Sequence, residues 1–325
     1  MISLIIAHPA DAGQRLDRFI RKYLPEAPLG AIFKMLRIGK IKVGGKKKDQ
    51  SYILEIGDEI TFWLTDLEVE NMKWADIKNQ KKIEQQNFST PEYKIDILYE
   101  DEYLMIINKP AGINVHPGDH KTTELSLIDL VQDYLEWKYN SLTFRPALAH
   151  RIDRDTSGCI LIAKDKQVLE SLLADFHAHR IEKVYHAIVS GIPVNKEDTI
   201  RYRLLRIENA KDEAKVRIDS TGQAAVTHYS LLQSFTGNQP FSLLECRIET
   251  GRTHQIRVHL MHIGHPIIGD RAYGDKRVNS YIKRQYSIAR QLLHAHSIGF
   301  IHPRTHRKII IEAPYPKDFL EILSP

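Results

Sequence analysis

Cysteine is scarce in this 325-residue chain: Cys159 and Cys246 are all it has. Two cysteines with no CxxC spacing argue against a disulfide framework and against a cysteine-rich zinc site. Long apolar runs are missing as well. Stretches such as Tyr103 to Ile107 and Cys159 to Ala163 fall far short of the ~18 residues that a membrane helix needs, so no transmembrane segment is expected. The N-terminus, MISLIIAHPADAG, has no positive charge ahead of its short apolar run and meets Asp11 at once. A secretory signal does not read this way, and the expected compartment is the cytoplasm. No Gly-rich phosphate loop links a strand to a helix, which leaves a Rossmann or P-loop reading without support. No fixed-period repeat is present.

What the chain does have is an ordinary globular composition, 42% hydrophobic and 27% charged, with a net charge of +5. At this length about two domains are expected, because single cores stop growing near ~250–300 residues. As a total, +5 says little about partners, but its distribution says more. Residues 1 to 64 hold 11 Lys+Arg against 7 Asp+Glu, a net of +4, and residues 65 to 93 hold 4 against 6, a net of −2.

From Asp11 onward, Leu16, Phe19, Ile20, Tyr23 and Leu24 recur at helical spacing, one apolar face of an amphipathic helix. Arg15, Arg18 and Lys22 fall on its other side. A second helix is expected from Leu29 to Arg37, stopped by Gly39. Lys40 to Val43 alternates basic and apolar as a half-buried strand does, Gly44-Gly45 supplies a turn, Lys46 to Lys48 extends the charge, and Glu59 to Trp63 closes a small hairpin. Residues 65 to 93, polar and ending near Pro91, read as a linker.

Beyond Tyr93 the chain becomes strand-rich. Strands are expected at Ile95–Tyr99, Tyr103–Asn108, Cys159–Ala163, Lys183–Ser190 and Phe241–Thr250, with helices near Leu125–Tyr139, Lys166–His179 and Thr253–Ile263. Strands and helices without a regular βαβ rhythm favour an α+β fold on a mixed, largely antiparallel sheet. The domains are then 1–64, a linker at 65–93, and 94–325.

The segment His150-Arg151-Ile152-Asp153-Arg154-Asp155-Thr156-Ser157-Gly158 leads into the apolar strand at Cys159. A loop at the mouth of a strand is where catalytic groups often sit. By composition alone, its two carboxylates, two arginines and histidine are equally a structural ion-pair network.

The pattern as a whole is more specific. HRIDRDTSG resembles the HRLDxxTSG motif of the RluA family of RNA pseudouridine synthases. In the same order, Asn108 to Gly112 with Val115-His116 resembles that family's KPAGxxVH segment, Lys183-Val184-Tyr185-His186-Ala187 its KxYxA strand, Thr250 to His259 its TGRxHQxRxH helix start, and Leu293-His294-Ala295 with Phe300 and His302-Pro303 its C-terminal pattern. With GDRAYGD and RLLRIENAK, the chain is most similar to the RluC branch. Ile152 stands where the family usually has leucine, a volume-conserving exchange. Residues 1 to 64 resemble the small "S-four" RNA-binding domain first described in a ribosomal small-subunit protein.

These resemblances imply a basic αα-hairpin on structured RNA, with Arg15, Arg18, Lys34, Arg37, Lys40, Lys42, Lys46 and Lys47 against phosphates, where contacts give affinity and register but little sequence information. They imply an isomerase that turns uridine into pseudouridine, acting on large-subunit ribosomal RNA as a monomer, with no cofactor and no metal. The implied roles are Asp153 as nucleophile, with Asp155 its neighbouring rival, Arg257 as its charge partner, Tyr185 stacked on the uracil, and Arg151 probing the space of an extruded base. His259, His262 and His265 recur every three residues, but Gly264 and Pro266 should end that helix and carry His265 off the shared face, and HExxH is absent. A binding-only protein on a decayed synthase scaffold is the other alternative, and it would have no need of Asp153, Tyr185 and Arg257 together. The charged stretch Lys276 to Arg290 matches no motif.

Overall fold

The computed structural model describes residues 1–72, 95–116, 125–135, 141–207 and 216–323. The linker reading at 73–93, the end of the Leu125–Tyr139 helix and the last residues of RLLRIENAK lie outside them. The described residues form two compact units. One draws on Met1–Lys94, Gln132–Pro146 and Asp165–Gln167, the other on Ile95–Val131, Ala147–Lys164 and Val168–Pro325.

In the first unit, strand β1 (Ile2–Ile5) precedes helices α1 (Leu16–Tyr23) and α2 (Leu29–Ile38), which are followed by β2 (Ile41–Val43) and β3 (Glu59–Phe62). The two helices form where their apolar spacing requires. Leu16, Phe19 and Ile20 are fully buried against Ile32, Ile41, Ile60 and Phe62, each large side chain contributing about 1.5–3 kcal/mol. Gly39 ends α2 in the left-handed conformation at φ 78°. The expected hairpin supplies the central strand and one edge of a three-stranded sheet in the order β1-β3-β2. The linker expectation is corrected at its start: residues 66 to 72 form helix α3 (Asp66–Met72). Thr65 and Glu68 cap it reciprocally, the Thr65 amide donating to Glu68 Oε2 at 2.7 Å and the Glu68 amide to Thr65 Oγ1 at 3.2 Å. Such a capping box closes two open donors at a helix start, and Val69 then enters the core.

The second unit is built on an 11-stranded sheet. Its strands are β4 (Ile97–Glu100), β5 (Leu104–Lys109), β6 (Ala147–Leu148), β7 (Ser157–Ala163), β8 (Glu182–Ser190), β9 (Glu197–Arg206), β10 (Val216–Ile218), β11 (Gln223–Phe235), β12 (Phe241–Ile248), β13 (Leu293–Ile301) and β14 (Lys308–Glu312). The main path runs β10-β9-β11-β12-β8-β13-β7-β5-β4, with β14 beside β13 and β6 beside β7. Every pairing is antiparallel except β13 with β7, so the expected mixed, largely antiparallel α+β architecture is what forms. Gly158 permits that parallel pair. A Cβ there would sit 2.2 Å from the Ala295 carbonyl oxygen, and the residue's φ is 110°.

Helices α4 (Leu127–Leu135), α5 (Lys166–His177), α6 (Gln255–His262), α7 (Lys276–Tyr286) and α8 (Lys317–Leu323) complete the described elements. The side chains of α5 from Val168 onward cover β5, β7 and β13, while α7 and α8 pack on Ile188, Leu243 and Leu292. Every residue of α6 from Gln255 to Leu260 is buried, as in a helix enclosed by protein on all sides. Both cysteines are buried free thiols, and burial raises the pKa of each, Cys159 to about 12. Among the described residues no helix is long and apolar enough to cross a membrane.

Candidate active site

The loop between β6 and β7 carries the HRID sequence, and three anchors fix its shape. The Leu161 amide donates to His150 Nε2 at 3.0 Å, which makes the ring an acceptor there and places its proton on Nδ1. Burial drives the pKa of His150 down to about 3, so it stays neutral and holds the loop to β7. The Thr156 amide donates to the Asp153 carbonyl at 3.1 Å and closes the turn. Lys109 supplies the third anchor. Its fully buried Nζ donates to the carbonyls of Pro110, Ile113 and Arg154 at 2.8, 2.9 and 2.7 Å.

Burial pulls the Lys109 pKa down to about 7. Three carbonyl acceptors nevertheless call on all three N–H groups of an ammonium, which a neutral amine does not have. The charged form is the one the geometry fits, with Asp155 and Asp153 as the carboxylates that favour it. Lys109→Met strands these three carbonyls, and a loss of about 3 kcal/mol is expected from the cost of leaving buried polar groups unsatisfied. Urea unfolding measures it, and a change within error would show that the clamp is not structural.

Asp153 faces a cavity lined by Arg151, Thr156, Tyr185, His254 and Arg257. Its Oδ2 accepts from Arg257 Nη1 at 2.9 Å, and its side chain keeps 23% of its surface exposed. The Nε–Nη2 edge of the Arg257 guanidinium is taken by Asp270, with Nε donating to Oδ2 at 2.7 Å and Nη2 to Oδ1 at 2.9 Å. Asp270 is completely buried and also accepts from the amides of Ala272 and Tyr273. This paired fork fixes the guanidinium plane and leaves Nη1 aimed at Asp153. Burial lowers the Arg257 pKa, but the hydrogen bonds and charge of Asp270, with Asp153, outweigh that and hold it above the ordinary value. Tyr273 packs its ring 5.1 Å from the guanidinium carbon and its hydroxyl 2.9 Å from His254 Nδ1. The other nitrogen of His254 lies 3.9 Å from Asp153 Oδ2.

Tyr185 reaches the cavity from β8 and is 8% exposed. Burial, followed by the charge of Asp153, raises its pKa, so it is a neutral phenol at physiological pH. Arg151 is exposed at the cavity and has no ion pair among the described residues. The four residues singled out in the sequence therefore line one cavity. Asp155 does not share it. That residue lines a separate groove, and its carbonyl accepts from Arg290 Nη1 at 3.0 Å.

Two neighbours of the Asp153–Arg257 pair are not marked out by the sequence. Asp270 belongs to GDRAYGD, a run that adds to the likeness without assigning its aspartates a role, and His254 belongs to THQIR. Gln255, also in that run, saturates its amide with Thr250, the Arg252 amide, Val226 and Thr227, so it anchors the start of α6. The histidines at three-residue spacing go to different partners: His259 to Thr227, His262 edge-on to Tyr202, and His265 to the Ser190 carbonyl. Among the described residues no group of three or more His, Cys, Asp or Glu side chains is arranged to hold a metal.

In the first unit, Arg15 and Arg18 line a concavity of about 620 Å³ together with Arg21, Lys22 and Lys166. Arg15 is partly neutralised there by a two-point ion pair with Asp17. Of the other expected RNA contacts, Lys34, Arg37, Lys40, Lys46 and Lys47 are exposed elsewhere, and Lys42 lies over the Trp63 ring at 5.6 Å.

An arginine-clamped aspartate thus stands beside a buried tyrosine in one cavity of the second unit. Comparison with known proteins gives the class. Residues 103–262 match the family model for RNA pseudouridylate synthase. The chain is 34% identical over 315 residues to ribosomal large subunit pseudouridine synthase C of Buchnera aphidicola subsp. Baizongia pistaciae (strain Bp), covering 96% of this chain and 93% of that protein. It is 34% identical to the protein of the same name from Vibrio cholerae serotype O1, over 93% of this chain and 90% of that one. Among solved structures, human RNA pseudouridylate synthase domain containing 4 matches with a TM-score of 0.56 and 27% identity, covering 70% of this chain and 91% of that chain. The chain belongs to the RNA pseudouridylate synthase family, isomerases that convert uridine to pseudouridine in RNA, and several of its relatives are named ribosomal large subunit pseudouridine synthase C.

Proposed function

We propose that this isomerase modifies uridines of large-subunit ribosomal RNA and that Asp153 carries the chemistry. The observation behind the mechanism is the 2.9 Å pairing of Asp153 with an arginine whose Nε and Nη2 are held by Asp270.

The reaction breaks the N1–C1′ bond, turns the uracil, forms a C5–C1′ bond, releases the C5 proton and returns a proton to N1, so composition is unchanged. It requires a carboxylate that attacks, or balances positive charge on, the sugar as the bond breaks, the use glycosidases make of theirs. Asp153 supplies it. Arg257 balances its charge in the resting site and orients it. The neutral Tyr185 ring offers the base a stacking face and, through its hydroxyl, a polar contact near C5.

The cavity at the site has a volume of about 70 Å³, smaller than the ~150 Å³ cavity that holds a benzene ring. A uracil therefore enters only when side chains at the mouth move. Arg151, exposed and without an ion-pair partner among the described residues, is the group to move, and it can follow the base out of the helix into the gap left behind. The basic surface of the first unit, including Arg15 and Arg18, adds phosphate contacts. We place the protein with its RNA in the cytoplasm, as a monomer.

Carbodiimide primer extension on ribosomal RNA, with and without the gene, tests the substrate. Specific stops in the large-subunit RNA should vanish on deletion and return with the wild-type gene. An unchanged pattern rejects this substrate.

A further inference from the structure

Helix α7 contains four cations and no acidic residue. The exposed positions of KRVNSYIKRQY are Lys276, Arg277, Ser280, Lys283, Arg284 and Gln285. Ser280, Lys283 and Arg284 lie four, seven and eight residues beyond Lys276, and Arg277 falls beside them, so they share one face. None of the four cations has an ion pair among the described residues.

The opposite face is fixed. Ile282 is buried with Phe319 and Leu292. Asn279 clamps the segment that carries the arginine's carboxylate partner, accepting from the Gly269 amide at 2.7 Å and donating to the Asp270 carbonyl at 2.8 Å. Just past the helix, Arg290 holds the Asp155 carbonyl at 3.0 Å. A groove of about 970 Å³ runs from Tyr286 and Ser287 to Asp155 and Gly112. The helix is thus tied to the segment of Asp270, the partner of Arg257, and the residues just past it to Asp155, while the four cations of its outer face have no ion pair among the described residues.

Helix stability accounts for only part of this pattern: Asp275 caps the start, its carboxylate accepting from the Arg277 and Val278 amides. Cations in the last turn suit the helix dipole, but Lys276 and Arg277 in the first turn oppose it, and four like charges on one face repel.

We infer that the outer face of α7 is a docking surface for the phosphate backbone of the substrate RNA, holding the strand that flanks the target uridine against the catalytic loop. This rests on the RNA-modifying reading above. A polyanion is the occupant that matches such a row of cations, and the groove from the helix end to Asp155 gives its strand a path to the site.

The test compares wild type with K276Q/R277Q/K283Q/R284Q in the full chain, on an unmodified transcript of large-subunit ribosomal RNA, with circular dichroism to establish folding. The variant should bind about tenfold or more weakly. Its plot of log affinity against log salt should be shallower by up to ~3, since each phosphate no longer neutralised takes ~0.7–0.9 from the slope. In turnover, the defect should appear chiefly in KM. Equal affinity and equal salt slope in a folded variant overturn the docking surface, leaving an acidic protein or no partner for that face. If wild type makes no pseudouridine in this RNA while the slope still drops, the docking stands and the substrate proposal falls.

Discussion

Asp153→Asn lowers kcat for pseudouridine formation by about 10⁴-fold or more, the scale on which loss of a nucleophile shows in other enzymes, while RNA affinity changes by no more than a few fold. The exchange keeps shape and removes charge, so a side-chain oxygen still meets Arg257 Nη1 where 2.9 Å separates the pair now. Asp270 keeps its two bonds to the guanidinium, and the arginine does not collapse into the cavity. The folded state should survive, because Asp153 is partly exposed and the loop is set by Lys109, His150 and the Thr156 turn rather than by the aspartate side chain. Single-turnover rates at saturating RNA measure the effect. A variant that turns over within tenfold of wild type removes Asp153 from the chemistry.

Acid should unfold the protein over an unusually sharp range. His186, His259 and His294 are buried, and burial is the leading cause that brings their pKa values down to about 3, about 4 and about 4. His186 stacks on His296 at 4.0 Å, with Tyr315 at its Nδ1 and Glu245 Oε2 3.8 Å from its Nε2. His294 is bonded to Ser157 and the Ala313 carbonyl, and His259 to Thr227.

In the unfolded chain these rings take up protons near pH 6.5, and in the folded chain only near 3 to 4. Between those limits the unfolded state holds more protons. Stability is therefore fully present above about 6.5 and lost as pH falls toward 4. With His150, whose pKa burial also lowers to about 3, four groups at up to ~1.4 kcal/mol per unit give a loss of about 4–5 kcal/mol from pH 6 to pH 5, a large part of an ordinary domain's ~5–15 kcal/mol. Urea titrations at pH 7.5, 6 and 5 measure it. Equal unfolding free energies at the three values would show that these rings are already protonated in the fold.

The readable parts of the sequence are those in which one residue class repeats. β7 is apolar at nearly every position, and α1 keeps its hydrophobic spacing, so both appear where periodicity puts them. The strands β9 and β11 are not legible, because much of their surface faces solvent and their polar residues break the alternation. β13, Leu293 to Ile301, is disguised by His294 and His296, which are polar by type yet buried or half-buried by place. Helix α3 is legible in principle, since Thr65 and Glu68 stand at capping-box spacing, but the polar composition that follows conceals it.

At the site, the motif order brings Asp153, Tyr185, Arg257 and Arg151 to one cavity, whereas Asp270 is not readable as a partner. It sits 13 residues beyond Arg257, across the chain reversal at Gly264 and Gly269, and only the fold returns it to the guanidinium. The cations of α7 are visible in the sequence, but not that they share one outward face. That takes the burial of Ile282 and the clamp of Asn279, which fix the side of the helix that looks outward.

The most direct test of the central claim, that Asp153 is the group that acts on the glycosidic bond, is tritium release from large-subunit ribosomal RNA transcribed with [5-³H]uridine, since forming the C5–C1′ bond expels the hydrogen at C5. Wild type and Asp155→Asn should release tritium at specific sites, and Asp153→Asn should release none while still binding the RNA. Release by Asp153→Asn at the wild-type rate, or its loss in Asp155→Asn alone, would contradict the account.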